Sequence, residues 1–174
     1  MPCTLTTGRK LPCKSAVGGL KTVYFADFGT LGATTITSGE LTAIAGTPDL
    51  FQFDIKGNSS LESAINSSRE NGTTFYETTL NLTLTYLEKA TQEELKLIAH
   101  ARPHVFVEDY NGNYFVVGLE HGAEVTGGTI VSGAAMGDLS GFTLTMVAQE
   151  TAPPYFVTST VVTDNADATQ ITPN

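Results

Sequence analysis

The sequence predicts a mainly β protein: a β-sandwich or barrel-like sheet with one short flanking α-helix at about residues 92–101 and flexible arms at both ends. Three observations predict it. From Phe75 onward, Tyr76, Leu80, Leu82, Leu84 and Tyr86 alternate with Glu77, Thr79, Asn81, Thr83 and Thr85, a period of two that gives one apolar and one polar face. Val105–Tyr110 and Tyr114–Leu119 are β-rich runs on either side of Asn111-Gly112, the strongest short hairpin signal. Between them the period changes to that of a helix. Thr91-Gln92-Glu93-Glu94 reads as a capping box, Leu95, Ile98 and Ala99 form an apolar stripe, and Pro103 ends the helix near Ala101.

The remaining elements follow in chain order. Met1–Gly19 is a polar arm with a local basic cluster, Arg9, Lys10 and Lys14. Leu20–Phe28 is the first strand, with Val23, Phe25 and Phe28 as core candidates. Thr34–Thr37 and Glu40–Ala45 are short strands split by Ser38-Gly39, and Leu50–Ile55 places Phe51, Phe53 and Ile55 on one face. Residues 57–72 are crowded with Asn and Ser. They are expected to form a long loop, with a helical turn at Leu61, Ala64 and Ile65. Such a loop is either mobile surface or an interacting element, and Ser59, Ser60, Leu61, Ile65 and Arg69 are its candidate inter-subunit residues. Glu124–Val131 is a strand with a bulge expected at Gly127-Gly128, followed by a Gly/Ala/Ser connector. Phe142–Glu150 directs Phe142, Leu144, Met146 and Ala148 to one face, and Pro153-Pro154 is expected to end the sheet. Residues 158–174, polar and without periodicity, are expected to be a flexible tail. The division is therefore an arm at 1–19, one β-rich domain at 20–157, and the tail.

At 174 residues the chain suffices for one domain with a real core. Charged residues are only 16%, yet 41% of residues are apolar and fall in periodic runs, which opposes disorder. The net charge of −9 disfavours gripping a phosphate backbone, which needs Lys and Arg. It suits either simple solubility or a passage along which nucleic acid slides without sticking. No apolar run has transmembrane length and no signal peptide opens the chain, so no membrane partner is expected. Cys3 and Cys13 lack a Cys-x-x-Cys arrangement; free thiols and a disulfide tying the arm both stay open.

The chemistry-bearing residues do not assemble into a catalytic pattern. His100 and His104 flank the helix end, where a basic group suits the dipole, and they have no third metal ligand at usable spacing. Asp109-Tyr110-Asn111-Gly112-Asn113 opens like a calcium loop but lacks the glutamate at position twelve, and the hairpin explains every residue of it. No nucleophile elbow, P-loop or dinucleotide fingerprint occurs. The expectation is no enzyme, no cofactor and no metal.

The layout of polar-faced strands, one mid-chain helix, a long interaction loop and two arms resembles the tail-tube (major tail) proteins of long-tailed bacteriophages. The opening Thr7-Gly8-Arg9-Lys10, Gly18-Gly19-Leu20 and Val23-Tyr24-Phe25-Ala26-Asp27-Phe28 adds to the resemblance. So does Gly137-Asp138-Leu139-Ser140-Gly141-Phe142-Thr143-Leu144-Thr145 with Glu150 and Pro153-Pro154. The resemblance implies a virion structural protein, assembled in the bacterial host cytoplasm into stacked, hexameric rings, with itself and other tail or connector proteins as partners. DNA would pass through the lumen without sticking, and Glu77, Thr79, Asn81 and Thr83 are the candidate lumen-facing residues. Two other classes remain: another virion part (head–tail connector, distal tail ring or capsid decoration protein), or a ligand-binding β-sandwich. Against the last stands the lack of Trp for stacking.

Overall fold

In the computed structural model, residues 7–11, 13–55 and 58–167 are described. The elements are β1 (Leu20–Ala26), β2 (Thr34–Thr37), β3 (Glu40–Ile44), β4 (Phe51–Asp54), β5 (Ser60–Ser68), β6 (Thr73–Thr85), α1 (Lys89–His100), β7 (His104–Asp109), β8 (Tyr114–Val117), β9 (Glu124–Val131), β10 (Gly141–Glu150), β11 (Tyr155–Val157) and α2 (Ser159–Thr163). They build two sheets, a seven-stranded one ordered β2-β3-β11-β8-β7-β1-β4 and a four-stranded one ordered β5-β6-β10-β9. The protein is mainly β, as the alternating runs predict.

One apolar cluster joins the sheets. Val23 and Phe25 of β1 and Val105 and Val107 of β7 meet Leu80, Leu82 and Leu84 of β6 and Phe142, Leu144 and Met146 of β10, with Leu95 and Ile98 of α1 closing one side. The intervening residues Tyr24, Ala26 and Phe106 point the other way, into a second cluster with Leu41, Leu50, Val157, Val161 and Val162. The central strands of the large sheet are thus buried on both faces, whereas β6 and β10 bury one face only.

Several expectations need correction. Residues 60–68 are not a loop but β5, an antiparallel strand paired along its whole length with β6 from Ser60↔Asn81 to Ser68↔Thr73. Its turn closes at Asn71-Gly72, where Gly72 takes φ +63° without steric cost. Pairing with a long neighbour overrides the helical spacing of Leu61, Ala64 and Ile65, which a few apolar residues cannot enforce alone.

The helix begins at Lys89, with Glu88 at the N-cap, and Thr91 lies inside its first turn rather than capping it. Lys89 and Ala90 are good helix formers with nothing to stop them. The tail is ordered through Asp167: Val161 and Val162 of α2 are buried, and Leu50 pairs with Ala166. The remainder of the expected tail, 168–174, lies outside the described residues. After Pro153-Pro154 the chain does not leave the fold but crosses to the large sheet as β11, antiparallel to β8 and parallel to β3.

Phe28 and His104 also differ from expectation. Phe28 is not core; its ring is half exposed, stacked on His104 with centroids 5.0 Å apart, and the Arg102 guanidinium lies 4.6 Å from its centroid. His104 does not sit at the helix end but is buried in β7. Gly29 N–H donates to its Nε2 at 3.0 Å, and its Nδ1 lies 2.7 Å from the Gly118 carbonyl, which can only accept. The ring is therefore the neutral Nδ1–H tautomer.

Two predictions follow from these placements. Leu95→Ala should cost about 2–5 kcal/mol in urea unfolding because its side chain fills the inter-sheet core, whereas Thr91→Ala should cost less than about 0.5 kcal/mol, as expected away from a cap. Burial pushes the His104 pKa below its ordinary value of 6.5, opposed by the Gly118 hydrogen bond and the charge of Glu150. The unfolded chain then binds more protons than the folded one below that value, so the stabilisation is fully present above pH 6.5 and is lost as the pH falls toward the depressed folded pKa. The urea midpoint should drop between about pH 7 and about pH 5.5, and NMR of the imidazole should show it resisting protonation over that range.

Candidate functional site

The open face of the four-stranded sheet gathers the polar residues singled out in the sequence. On β6, Glu77, Thr79, Asn81 and Thr83 all point away from the core, because Leu80, Leu82 and Leu84 between them are buried. The register extends this face across the sheet. On β10, Thr143, Thr145, Val147 and Gln149 stand opposite Thr83, Asn81, Thr79 and Glu77; on β5, Ser60, Glu62 and Ala64 stand opposite Asn81, Thr79 and Glu77. Thr129 of β9 pairs with Thr143 on the far side.

These side chains are tied to one another. Gln149 Nε2 donates to Glu77 Oε2 at 2.7 Å and Thr145 Oγ1 donates to Asn81 Oδ1 at 3.0 Å. The Thr129 and Thr143 hydroxyls lie 2.6 Å apart, and Thr83 Oγ1 donates to the Asn58 carbonyl. Such cross-strand pairs hold the polar groups in a fixed pattern. None of the four strands contains Lys, Arg or His, while each carries one Glu: Glu62, Glu77, Glu124 and Glu150. Glu150 is spent locally, accepting the backbone N–H groups of Glu120 and His121. The other three leave the four strands acidic, with no cation of their own to compensate.

Both edges of this sheet are open. β5 offers nine residues without Pro, Lys or Arg, the devices that usually blunt an edge. At the opposite edge, β9 carries the expected bulge, the register shifting between Thr145 and Met146 so that Thr126 is the extra residue beside Gly127-Gly128. Gly128 is required there, since a Cβ would come within 2.6 Å of the Thr143 carbonyl. Under β9, a groove of about 700 Å³ runs between the strand and α1, lined by Leu95, Val125, Ile130, Phe142 and Leu144 among others. Ile130 is largely exposed on its rim.

The candidate inter-subunit residues divide. Ser59 is buried, its Oγ accepting Thr83 N–H at 3.0 Å, and Leu61 packs against the core; both serve the chain's own fold. Ser60 is exposed, and Ile65 is exposed because the β5–β6 hairpin runs past the end of β10, which stops opposite Tyr76. Arg69 lies exposed in the hairpin turn. Phe75, partly exposed near the tip and opposite Asn66, lies on the other, polar face of the hairpin, an exposed aromatic that the sequence reading did not single out.

The other chemistry-bearing groups are engaged in turns. Asp109 Oδ1 accepts the backbone N–H groups of Asn111 and Asn113 and Oδ2 their side-chain amides, which leaves an amide-filled cradle and no calcium geometry. Burial would raise the Asp109 pKa, but the bonds from Asn113 and Asn111 outweigh it and hold the carboxyl below its ordinary value. Cys13 is a free, exposed thiol, and Cys3 lies outside the described residues. Among the described residues, no three His, Cys, Asp or Glu side chains converge as a metal site, and no helix is long and apolar enough to cross a membrane. No protein-family model matches the chain, and no curated protein is significantly similar to it in sequence.

The protruding tip gives a prediction. Replacing Asn66–Phe75 by Asn-Gly, a turn that suits the Ile65↔Tyr76 pair, should leave a folded monomer with a melting temperature close to that of the parent chain. The removed residues pair only with each other and touch neither core cluster. A large loss in thermal unfolding would show that the tip supports the fold.

Proposed function

We propose that the chain is a virion structural protein, the subunit of a bacteriophage tail tube, which stacks in rings around a channel for DNA. The observation that carries this reading is one sheet whose outer face is acidic, hydroxylated and free of cations and whose two edges are both open. A long unprotected edge is a liability in a monomer, because its unpaired backbone groups recruit other strands. Placing β5 of one copy beside β9 of the next satisfies both edges at once. It also extends the sheet over the apolar groove and covers Ile130. This is a head-to-tail contact, and where its rotation closes it makes a ring. The polar faces of successive sheets then form one continuous surface. In a ring that turns this face inward, Glu62, Glu77 and Glu124 repel phosphate, and the hydroxyls and amides are already bonded to one another. Its working location is then the virion tail, and its partners are itself and the neighbouring tail or connector proteins.

Electron microscopy of concentrated protein tests the assembly: stacked rings or tubes are expected, single unstacked rings favour a connector, and monomers at every concentration overturn the reading. The face is tested separately with Glu77→Lys/Asn81→Lys. Duplex DNA carries about one phosphate charge per 1.7 Å, so lysines repeated around stacked rings should hold it electrostatically. Tubes should still form, while DNA passage should slow and become salt-dependent. Unaltered DNA delivery by assembled mutant particles at every salt concentration would show that this face does not line the channel.

A further inference from the structure

The N-terminal arm and the groove beside β4 fit one another, and we infer that the arm of one copy docks in the β4 groove of a second copy. Every described residue from Thr7 to Gly19 is exposed, including Leu11 at 96%. Arg9, Lys10 and Lys14 put three of the chain's nine basic residues within six positions around that leucine. An apolar side chain between cations, held in water by an otherwise acidic protein, lacks a partner within its own fold.

The groove supplies complementary chemistry. It has a volume of about 250 Å³, and Phe51, Phe53, Leu97 and Ala101 give it apolar walls while Asp27 and Glu94 give it two carboxylates. Phe51 and Leu97 are both well exposed, so an apolar side chain seated between them would cover surface that this chain's described residues leave in water. A segment there gains a pocket for Leu11 and, from Asp27 and Glu94, charges opposite to those of Arg9, Lys10 and Lys14.

The geometry points to a second copy rather than to the chain's own groove. Asn111, in the β7–β8 turn, clamps the arm at Val17: Val17 N–H donates to Asn111 Oδ1 at 2.9 Å and Asn111 Nδ2 donates to the Val17 carbonyl at 2.7 Å. The strand order puts β7 on one side of β1 and β4 on the other, so the clamp leads the arm away from β4. The groove also lies at the Phe25–Asp27 end of β1, about 20 Å along the strand from where the arm joins it at Leu20. An arm leaving one flank and a groove opening on the other make a head-to-tail contact that needs only two copies and no ring.

Cys13 makes the contact testable in the full-length chain, because it is an exposed thiol on the arm. In a Cys3→Ser background, Ala101→Cys or Leu97→Cys places a second thiol in the groove, and a short bismaleimide is added to protein verified as folded by circular dichroism. The expected result is a ladder of cross-linked dimers and higher species that fades with added salt. It should be lost in Asp27→Lys/Glu94→Lys and restored when Arg9, Lys10 and Lys14 are also changed to Glu. A Glu124→Cys control on the distant β9 strand should give only background. The inference is overturned if both groove cysteines cross-link no better than that control, or if the product is a compact, internally linked monomer. Because dimers suffice, this result is independent of whether tubes form.

Discussion

The structure depends on burying the β1–β7 pair on both faces. Val23 and Phe25 alternate with Tyr24 and Ala26, and Val105 and Val107 with Phe106, so two adjacent strands feed two separate apolar clusters. A sheet buried in this way needs a cover on each side. On one side the cover is the four-stranded sheet with α1. On the other it is built from Leu31, Leu41, Leu50 and the α2 valines, which is why the chain must return after β10 to add β11 and α2.

That constraint fixes the character of the candidate site. The four-stranded sheet serves as a lid for one cluster only, so its inner positions are Leu, Phe and Met and its outer positions are free to be polar. On β6 and β10 this division was legible as strict alternation, and a one-residue slip would expose every leucine. The orientation of Glu77, Thr79, Asn81 and Thr83 follows from that alone. What alternation does not reveal is that Gln149 and Thr145 would bond to Glu77 and Asn81, because those partners are more than sixty residues away and meet only through the register.

Where the apolar signal was thin, sequence reasoning went astray for definable reasons. β5 has only Leu61 and Ile65 on its inner side, with Ser63 and Ser67 between and after them, so two apolar residues four apart read as a helical turn. The strand exists because β6 offers it an unbroken ladder. The α2 segment hides in the same way: Val161 and Val162 are adjacent in a polar stretch, with no period to detect, and become core only because Leu41, Leu50 and Val157 converge there. Thr91 shows the reverse error, a capping-box pattern that the helix start ignores by beginning at Lys89.

The sequence by itself determined the β class, the central hairpin at Asn111-Gly112, the bulge near Gly127-Gly128, and the polar face of β6. Each rests on interactions between residues close in the chain or on a periodicity of two that survives any environment. Tertiary structure decided which strands lie at open edges, that the Asn/Ser-rich segment is β5, that the C-terminal valines close a second core, and that the arm is led away from β4. These depend on which distant strands become neighbours. The energy of that choice lies in backbone ladders and shared apolar clusters that no local window of residues contains.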